Sequence, residues 1–149
     1  MNDIITLSTT VTTTNGTAYA SGDNVGGLIK FKGADIFFDR VGYIQSAVIT
    51  DLGKQNVEAD LVIFREKPNL TTFTNDAAMD IDDGDITKII GIITFDTWKA
   101  FNDNSASTVA QLAVPINIED SQIYATLVTR GAPTYTSTSD ISVRINLFR

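Results

Sequence analysis

The chain consists largely of short segments in which apolar and polar residues alternate, and residues that favour turns separate these segments. The clearest is ISVRINLF at 141–148, in which Ile141, Val143, Ile145 and Leu147 would all point to one side. Alternation with a period of two residues is typical of a β-strand that buries one face. Comparable segments predict six more strands, at 25–32, 42–52, 58–64, 88–95, 108–118 and 122–130.

The side-chain chemistry supports the same interpretation. Thr, Ile and Val, with 20, 18 and 10 copies, supply 48 of the 149 residues, and their branched β-carbons favour an extended backbone. A further strand near the N-terminus brings the total to eight short strands, in a chain long enough for one core. We therefore expect an all-β protein, an eight-stranded, jelly-roll-like β-sandwich that occupies residues 18–149 as a single domain.

Two residues inside the predicted strands mark irregular positions. Gly91 lies in the middle of 88–95, where it predicts a bulge or a close approach of another part of the chain. Pro115 lies within 108–118 and has no backbone N–H to donate to a neighbouring strand. That part of the strand is therefore expected at a sheet edge or a bulge.

Residues 1–17 differ from the rest because they are rich in Thr and poor in apolar residues, as in TLSTTVTTTNGT. This composition favours either an extended arm that pairs with a neighbouring chain or an edge strand, and a poorly ordered terminus is the alternative. The candidate interface residues are the apolar side chains of this arm and two arginines that could form salt bridges with a neighbouring subunit: Ile4, Ile5, Leu7, Val11, Arg40 and Arg130.

The composition excludes several classes of function. The chain has no Cys and no His, which excludes disulfides, cysteine nucleophiles, Ser-His-Asp triads and histidine-bearing zinc sites. Its net charge of −7 disfavours a nucleic-acid partner, because the phosphate backbone is also negative. No segment reaches the roughly 18 apolar residues of a membrane-spanning helix, and the N-terminus does not resemble a signal peptide. We expect neither a nucleic acid nor a membrane as partner.

Five aspartates fall within ten positions between 76 and 85. Counted from Asp80, an EF-hand loop would need Asp or Asn at its fifth position and Glu at its twelfth, where the chain has Gly84 and Gly91. An irregular calcium site and a pair of catalytic carboxylates remain alternatives, although catalytic pairs usually come from different strands. We expect no metal, no cofactor and no enzymatic activity. The five residues are Asp76, Asp80, Asp82, Asp83 and Asp85.

The same stretch favours a structured excursion between two strands, with short helical turns in the loop at 70–88. Asp82 or Asp83 is a suitable N-cap for one helical turn. A second turn is expected at 74–79. Two apolar side chains of the loop would then anchor it on the core: Phe73 and Met79.

The only tryptophan, Trp98, is close in sequence to Phe101. An exposed pair of aromatic rings would form a platform for a sugar, as in a carbohydrate-binding module. The alternative is that the pair covers the core at one end of a sheet.

Three stretches together resemble a group of small virion proteins of tailed bacteriophages. They are AYASGDNVGGLIKF at 18–31, GYIQSAVITDLGKQNVEADLVIF at 42–64 and PNLTTFTNDAAMDIDDGDITKIIGIITF at 68–95. The resemblance covers about half of the chain. One departure is the Asp83-Gly84-Asp85 step, where the group has Asp-Ala-Asp, and the C-terminal third matches less specifically.

This resemblance implies an auxiliary capsid protein, also called a decoration or cement protein, with a jelly-roll or sandwich fold. Such a protein would bind the outside of the major capsid lattice as a homodimer or homotrimer and bridge neighbouring capsomers. It would be assembled in the host cytoplasm and function in the virion. No catalytic residues come with the group. The alternative is a head-fibre or receptor-binding sandwich that recognises carbohydrate.

Overall fold

The structure is a computed structural model that describes residues 4–33, 41–117 and 122–149. Within these ranges the regular secondary structure is almost entirely β-strand, as expected, and there is one short helix. In chain order the elements are β1 (Ile4–Val11), β2 (Asn24–Lys32), β3 (Val41–Asp51), β4 (Ala59–Phe64), α1 (Asp83–Ile86), β5 (Ile89–Phe95), β6 (Trp98–Ala100), β7 (Ser105–Val109), β8 (Val114–Asn117), β9 (Gln122–Thr129) and β10 (Ile141–Phe148).

The strands form two antiparallel sheets. The six-stranded sheet has the order β1-β10-β3-β7-β6, and β8 pairs with the same edge of β3 as β7. The four-stranded sheet has the order β2-β9-β4-β5. The core lies between them, because one continuous cluster of buried side chains contains residues of both sheets, such as Ile44 and Val143 from the first and Phe31 and Leu127 from the second.

The alternation in β10 confirms the inward face that its sequence predicts. Ile141, Val143, Ile145 and Leu147 are all buried in the core. Each of these branched side chains removes apolar surface from water, which contributes about 2 kcal/mol per fully buried side chain. The alternation of apolar and polar residues that predicts the β-strand thus also supplies its contribution to the core.

The expected number of strands was wrong, because the described residues contain ten and not eight. The segment at 108–118 was expected to be one strand but is interrupted after β7, where Gln111 has a positive φ of 59° and Leu112 N donates to Gln45 O at 2.8 Å. The short strand β6 was not expected, and it pairs with β7.

The two irregular positions are confirmed. The register between β4 and β5 shifts close to Gly91, and a Cβ on Gly91 would lie 2.7 Å from Val114 Cγ1. Pro115 lies in β8, at the edge of the six-stranded sheet. Glycine and proline thus mark a close packing contact and a strand edge, as their chemistry requires.

The N-terminal segment from Ile4 to Val11 is an edge strand of the chain's own sheet. All eight residues of β1 pair with β10 in an antiparallel register, from Ile4↔Phe148 to Val11↔Ile141. Its inward side chains Leu7 and Val11 belong to the core. The described part of the segment is therefore held by its own chain.

The connection between β4 and β5, residues 65–88, covers the outer face of the four-stranded sheet, and we call it the lid. Phe73 and Met79 of the lid pack on a second cluster of buried residues that includes Val62 and Tyr124, so both anchors are confirmed. As a result β9 is buried on both faces from Ile123 onward.

One of the two expected helical turns is present in the lid. Helix α1 begins after the N-cap Asp82, whose side chain accepts a hydrogen bond from Gly84 N. The turn expected at 74–79 is not helical, which corrects the prediction. The reason is local: Asp76 has a positive φ of 61°, which ends any right-handed turn, and the Asn75 side chain bonds to β2.

Candidate interaction surface

The lid is bonded to the turn that precedes β2, so that two distant stretches of sequence form one unit. Asn24 N donates to Ala77 O at 2.8 Å, Asp76 N donates to Asn24 O at 2.9 Å, and Met79 N donates to Gly22 O at 2.9 Å. These backbone bonds make a small ladder around the bridge between Asp23 and Ala78. The lid therefore has a fixed position on the sheet.

A buried carboxylate holds the other end of the lid. Asp85 is fully buried and accepts backbone N–H groups from Asn69, Leu70 and Thr71, at 3.2, 2.8 and 2.7 Å, and the ammonium of Lys88 at 2.8 Å. Burial alone would raise the pKa of Asp85, but the Lys88 ammonium and the hydrogen bonds from Thr71 and Leu70 outweigh it and hold this pKa well below its usual range. One of the five clustered aspartates is thus a structural anchor.

A pair of buried carboxylates at one end of the sandwich also serves the backbone. Asp51 accepts from the amides of Gly53 and Gln55, and Asp140 accepts from the amides of Thr136 and Ser137. Burial raises the pKa of Asp51, and the nearby charge of Asp140 adds to this effect, while the amide bonds oppose it. No sequence pattern indicates this pair, since the two aspartates come from separate strand ends.

Within residues 4–33, 41–117 and 122–149, no three acidic side chains are arranged to hold a metal ion. In the lid, Asp80, Asp82 and Asp83 are exposed. The outer side of the four-stranded sheet is therefore covered by a lid that carries several negative charges.

The structure separates the six residues predicted at an interface. Leu7 and Val11 lie in the core, and Ile5 packs against it. Ile4 has an exposed fraction of 62%. Arg130 is exposed and forms an ion pair with Asp60 of β4, with 2.7 Å between Nε and Oδ2. Arg40 lies outside the described residues.

The outer face of the six-stranded sheet has no covering segment among the described residues, and we call it the open face. Short polar side chains point outward in cross-strand rows, where Thr6 Oγ1 donates to Asn146 Oδ1 at 2.8 Å and Asn146 Nδ2 donates to Ser46 Oγ at 2.7 Å. In the next row Arg144 lies between Ser8 and Val48. Because the side chains around Arg144 are short, this part of the face is broad and shallow.

One end of the open face is apolar. The register places the exposed Ile4 beside Phe148, and Phe148 beside Tyr43. The rings of Tyr43 and Phe148 are in contact, with centroids 5.2 Å apart. Pro115 extends this row on the far side of Tyr43. The face thus combines an apolar end with a hydroxyl-rich centre.

The charges of the open face are opposite to those of the lid. No described residue that points outward from its strands is acidic, whereas Arg144 and Lys99 are exposed there. Among the described residues Arg144 has no ion pair. In a chain with a net charge of −7, a sheet face whose described residues carry no carboxylate differs clearly from the acidic lid.

Trp98 does not form an exposed platform. Its ring packs against the core, and its indole N–H donates to Val57 O at 3.1 Å. Phe101 is largely exposed, with an exposed fraction of 62%. The two rings therefore have different environments. The position of Trp98 agrees with the alternative in which this ring covers the core.

Comparison with known proteins adds no family to this description. No protein-family model matches the chain, and the search of curated proteins found no match. In the described residues, the helix found is too short to cross a membrane.

Proposed function

We propose that the protein is an auxiliary capsid protein, of the decoration or cement type, in the virion of a tailed bacteriophage. In this role it binds the outside of the major capsid lattice, bridges neighbouring capsomers and acts as a homodimer or homotrimer. The observation that carries the proposal is the contrast between the two outer faces of the sandwich. One is sealed by the acidic lid, and the other is open, shallow and free of described carboxylates.

The residues that resemble phage virion proteins support this role because of where they lie. The AYASGDNVGG turn at 18–27 and the TTFTNDAAM segment at 71–79 are bonded to each other by backbone hydrogen bonds. Their side-chain chemistry fastens the lid, since Asn75 bonds to Tyr19 and to Gly26 N. These bonds make the sandwich and its lid one rigid body. A protein on the outside of a virus particle needs such rigidity.

The strand pairing supports a jelly roll within the sandwich. With β6 set aside and β7 and β8 taken together, the first strand pairs with the last, the second with the second-last, and so on inward. The pairs are β1 with β10, β2 with β9, β3 with β7 and β8, and β4 with β5. This nested pairing, in two four-strand layers, is the arrangement expected of a jelly roll.

The buried carboxylates favour a structural role over catalysis. Asp51, Asp85 and Asp140 all accept backbone amides of neighbouring loops, and a carboxylate engaged in this way is poorly placed to act as a general acid or base. We propose that the protein is not an enzyme and that it needs no cofactor. Its acidic surface also favours a protein partner over a nucleic acid.

Quantitative mass spectrometry of gradient-purified virions tests the proposal. The virions come from the phage that encodes this chain, and we expect the chain in a fixed ratio to the major capsid protein. Immunogold labelling should then decorate the head and leave the tail unlabelled. Absence of the chain from purified particles contradicts the proposal, and label confined to the tail favours the fibre alternative.

The fibre or carbohydrate-binding alternative depends on the aromatic pair. Its strongest structural feature is the exposed Phe101, but Trp98 is engaged with the core and with Val57 O. Binding to a glycan array that is lost in Phe101→Ala, in a variant with unchanged thermal stability, would favour this alternative. We expect no glycan binding in the wild-type protein.

A further inference from the structure

We infer that the open face docks on a protein surface that presents carboxylate groups, and that Arg144 is the residue that recognises them. This inference deepens the proposed function and rests on it, since the partner would be the outer surface of the capsid shell. The occupant of the face is thus defined by its chemistry, a flat acidic protein surface.

The charge distribution identifies the partner's chemistry. Arg144 projects from β10, the strand between β1 and β3, and among the described residues it has no acidic partner. A guanidinium that is covered by a partner must be paired, because burial of an unpaired charge is costly. Arginine forms bidentate bonds with carboxylates, and arginine and tyrosine are the residue types enriched at the energetic centres of interfaces. Tyr43 lies on the same face.

The side chains around Arg144 leave its guanidinium accessible and allow a partner surface to approach closely. Its cross-strand neighbours are Ser8 on β1 and Val48 on β3, both shorter than the guanidinium group. Thr6, Ser142 and Thr50 line the same shallow depression. Hydroxyl groups both donate and accept hydrogen bonds, and short side chains lose little rotamer freedom when they are covered. The depression therefore places one cation beside four hydroxyl groups and the apolar side chain of Val48.

The area of the open face is suited to a partner that presents many identical binding sites. The six strands of the open face together cover about 600 Å², given the spacing of strands and residues in a sheet. A standard stable interface buries about 800 Å² on each partner. A single open face therefore binds weakly, and tight attachment requires several copies joined in an oligomer on a repeating surface.

A second copy of this chain is a poor occupant of the same face. Packing two open faces together around a twofold axis would bring the two copies of Arg144 towards each other, with no described acidic side chain on either face to separate them. Stacking an open face on the acidic lid of another copy would not close, because the two surfaces lie on opposite sides of the sandwich, and it would produce open filaments.

Binding to capsid shells tests the inference. Shells are purified from a phage strain that lacks this gene, and the full-length protein is added and measured by co-sedimentation. Arg144→Glu reverses the charge, and Ser8→Glu leaves Arg144 in place but supplies it with a carboxylate from the neighbouring strand. Arg65→Glu is the matched control, since Arg65 is exposed in the lid and its substitution changes the net charge equally.

We expect the wild-type protein and Arg65→Glu to bind alike, and Arg144→Glu and Ser8→Glu to bind at least about tenfold more weakly. Thermal melts verify that the variants are folded. If Arg144→Glu does not fold, the binding of Ser8→Glu alone tests the inference. Wild-type binding that both variants retain overturns the inference and leaves the proposed function intact. Failure of the wild-type protein to bind shells overturns both. Loss of the wild-type oligomer in Arg144→Glu overturns the inference by making the open face a self-interface.

Discussion

The hydroxyl of Tyr19 donates a 2.8 Å hydrogen bond to Oδ1 of Asn75, 56 positions further along the chain. The same oxygen accepts from Gly26 N at 2.7 Å. One side-chain amide thus joins Tyr19, which precedes β2, and Gly26, which lies in β2, to the lid. The position of the lid in turn decides which face of the sandwich remains open.

Replacement of Asn75 by Ala should loosen the lid. The change leaves two partly buried donors without their acceptor, so we expect the free energy of unfolding to fall by about 2 kcal/mol. Hydrogen exchange should accelerate in the amides of 71–81 more than in β10. Asn15→Ala is the control, because Asn15 is exposed, and it should change neither quantity. Equal effects of the two substitutions would show that the bond does not hold the lid.

Asp85→Asn should destabilise the protein at neutral pH by about 3 kcal/mol, because Lys88 and three backbone amides lose a charged acceptor. The pKa of Asp85 is depressed in the folded state, so its contribution is complete above the usual carboxyl pKa of about 4 and declines as the pH falls below that value. Denaturant unfolding of wild type and variant at several pH values measures the difference. Asp80→Asn, at an exposed position of the lid, is the control. A difference that stays constant in acid would contradict this assignment.

Substitution of two glycines with positive φ distinguishes the cost of backbone strain from the cost of a packing clash. Gly22 (φ 96°) has no heavy atom within 4 Å of an added Cβ, whereas a Cβ on Gly26 (φ 84°) would overlap Val11 Cγ1. Gly22→Ala should therefore cost about 1 kcal/mol of unfolding free energy from backbone strain alone. Gly26→Ala should cost about 3 kcal/mol, because β1 must also shift away from β2. Similar costs for the two variants would mean that β1 and β2 are not in contact.

Leu7 and Ile4 test whether β1 belongs to its own chain. Leu7 is in the core and Ile4 is exposed, so Leu7→Ala should cost about 3 kcal/mol and Ile4→Ala less than about 0.5 kcal/mol. If β1 pairs within its own chain, the loss in Leu7→Ala is the same at every protein concentration. A loss that grows on dilution would instead indicate an arm that is exchanged between chains.

The strands could be predicted because alternation is a local property. The inward face of 141–148 and the Asp82 N-cap need no knowledge of distant residues. The break at Gln111 could not be found in this way, since the apolar pattern continues through it. It depends on Leu112 N reaching Gln45 O in β3, which is a contact between strands that only the folded chain brings together.

The candidate surface was accessible to sequence reasoning only in part. Ile4 was predicted at an interface and lies on the open face. The alternation at 141–148 puts Arg144 on the outward side of its strand, but the importance of Arg144 depends on Ser8 and Val48, which become its neighbours only through the sheet order. Arg130 was expected to bind a neighbouring subunit, yet within its own chain it already pairs with Asp60.

Electron cryomicroscopy of intact virions reports both whether the chain is on the particle and which of its faces contacts the shell. We expect many copies on the outside of the shell, with the open face and Arg144 against the capsid protein and the acidic lid turned to solvent. A reconstruction in which the lid contacts the shell and the open face is bare, or in which the chain is missing from the particle, would contradict this expectation.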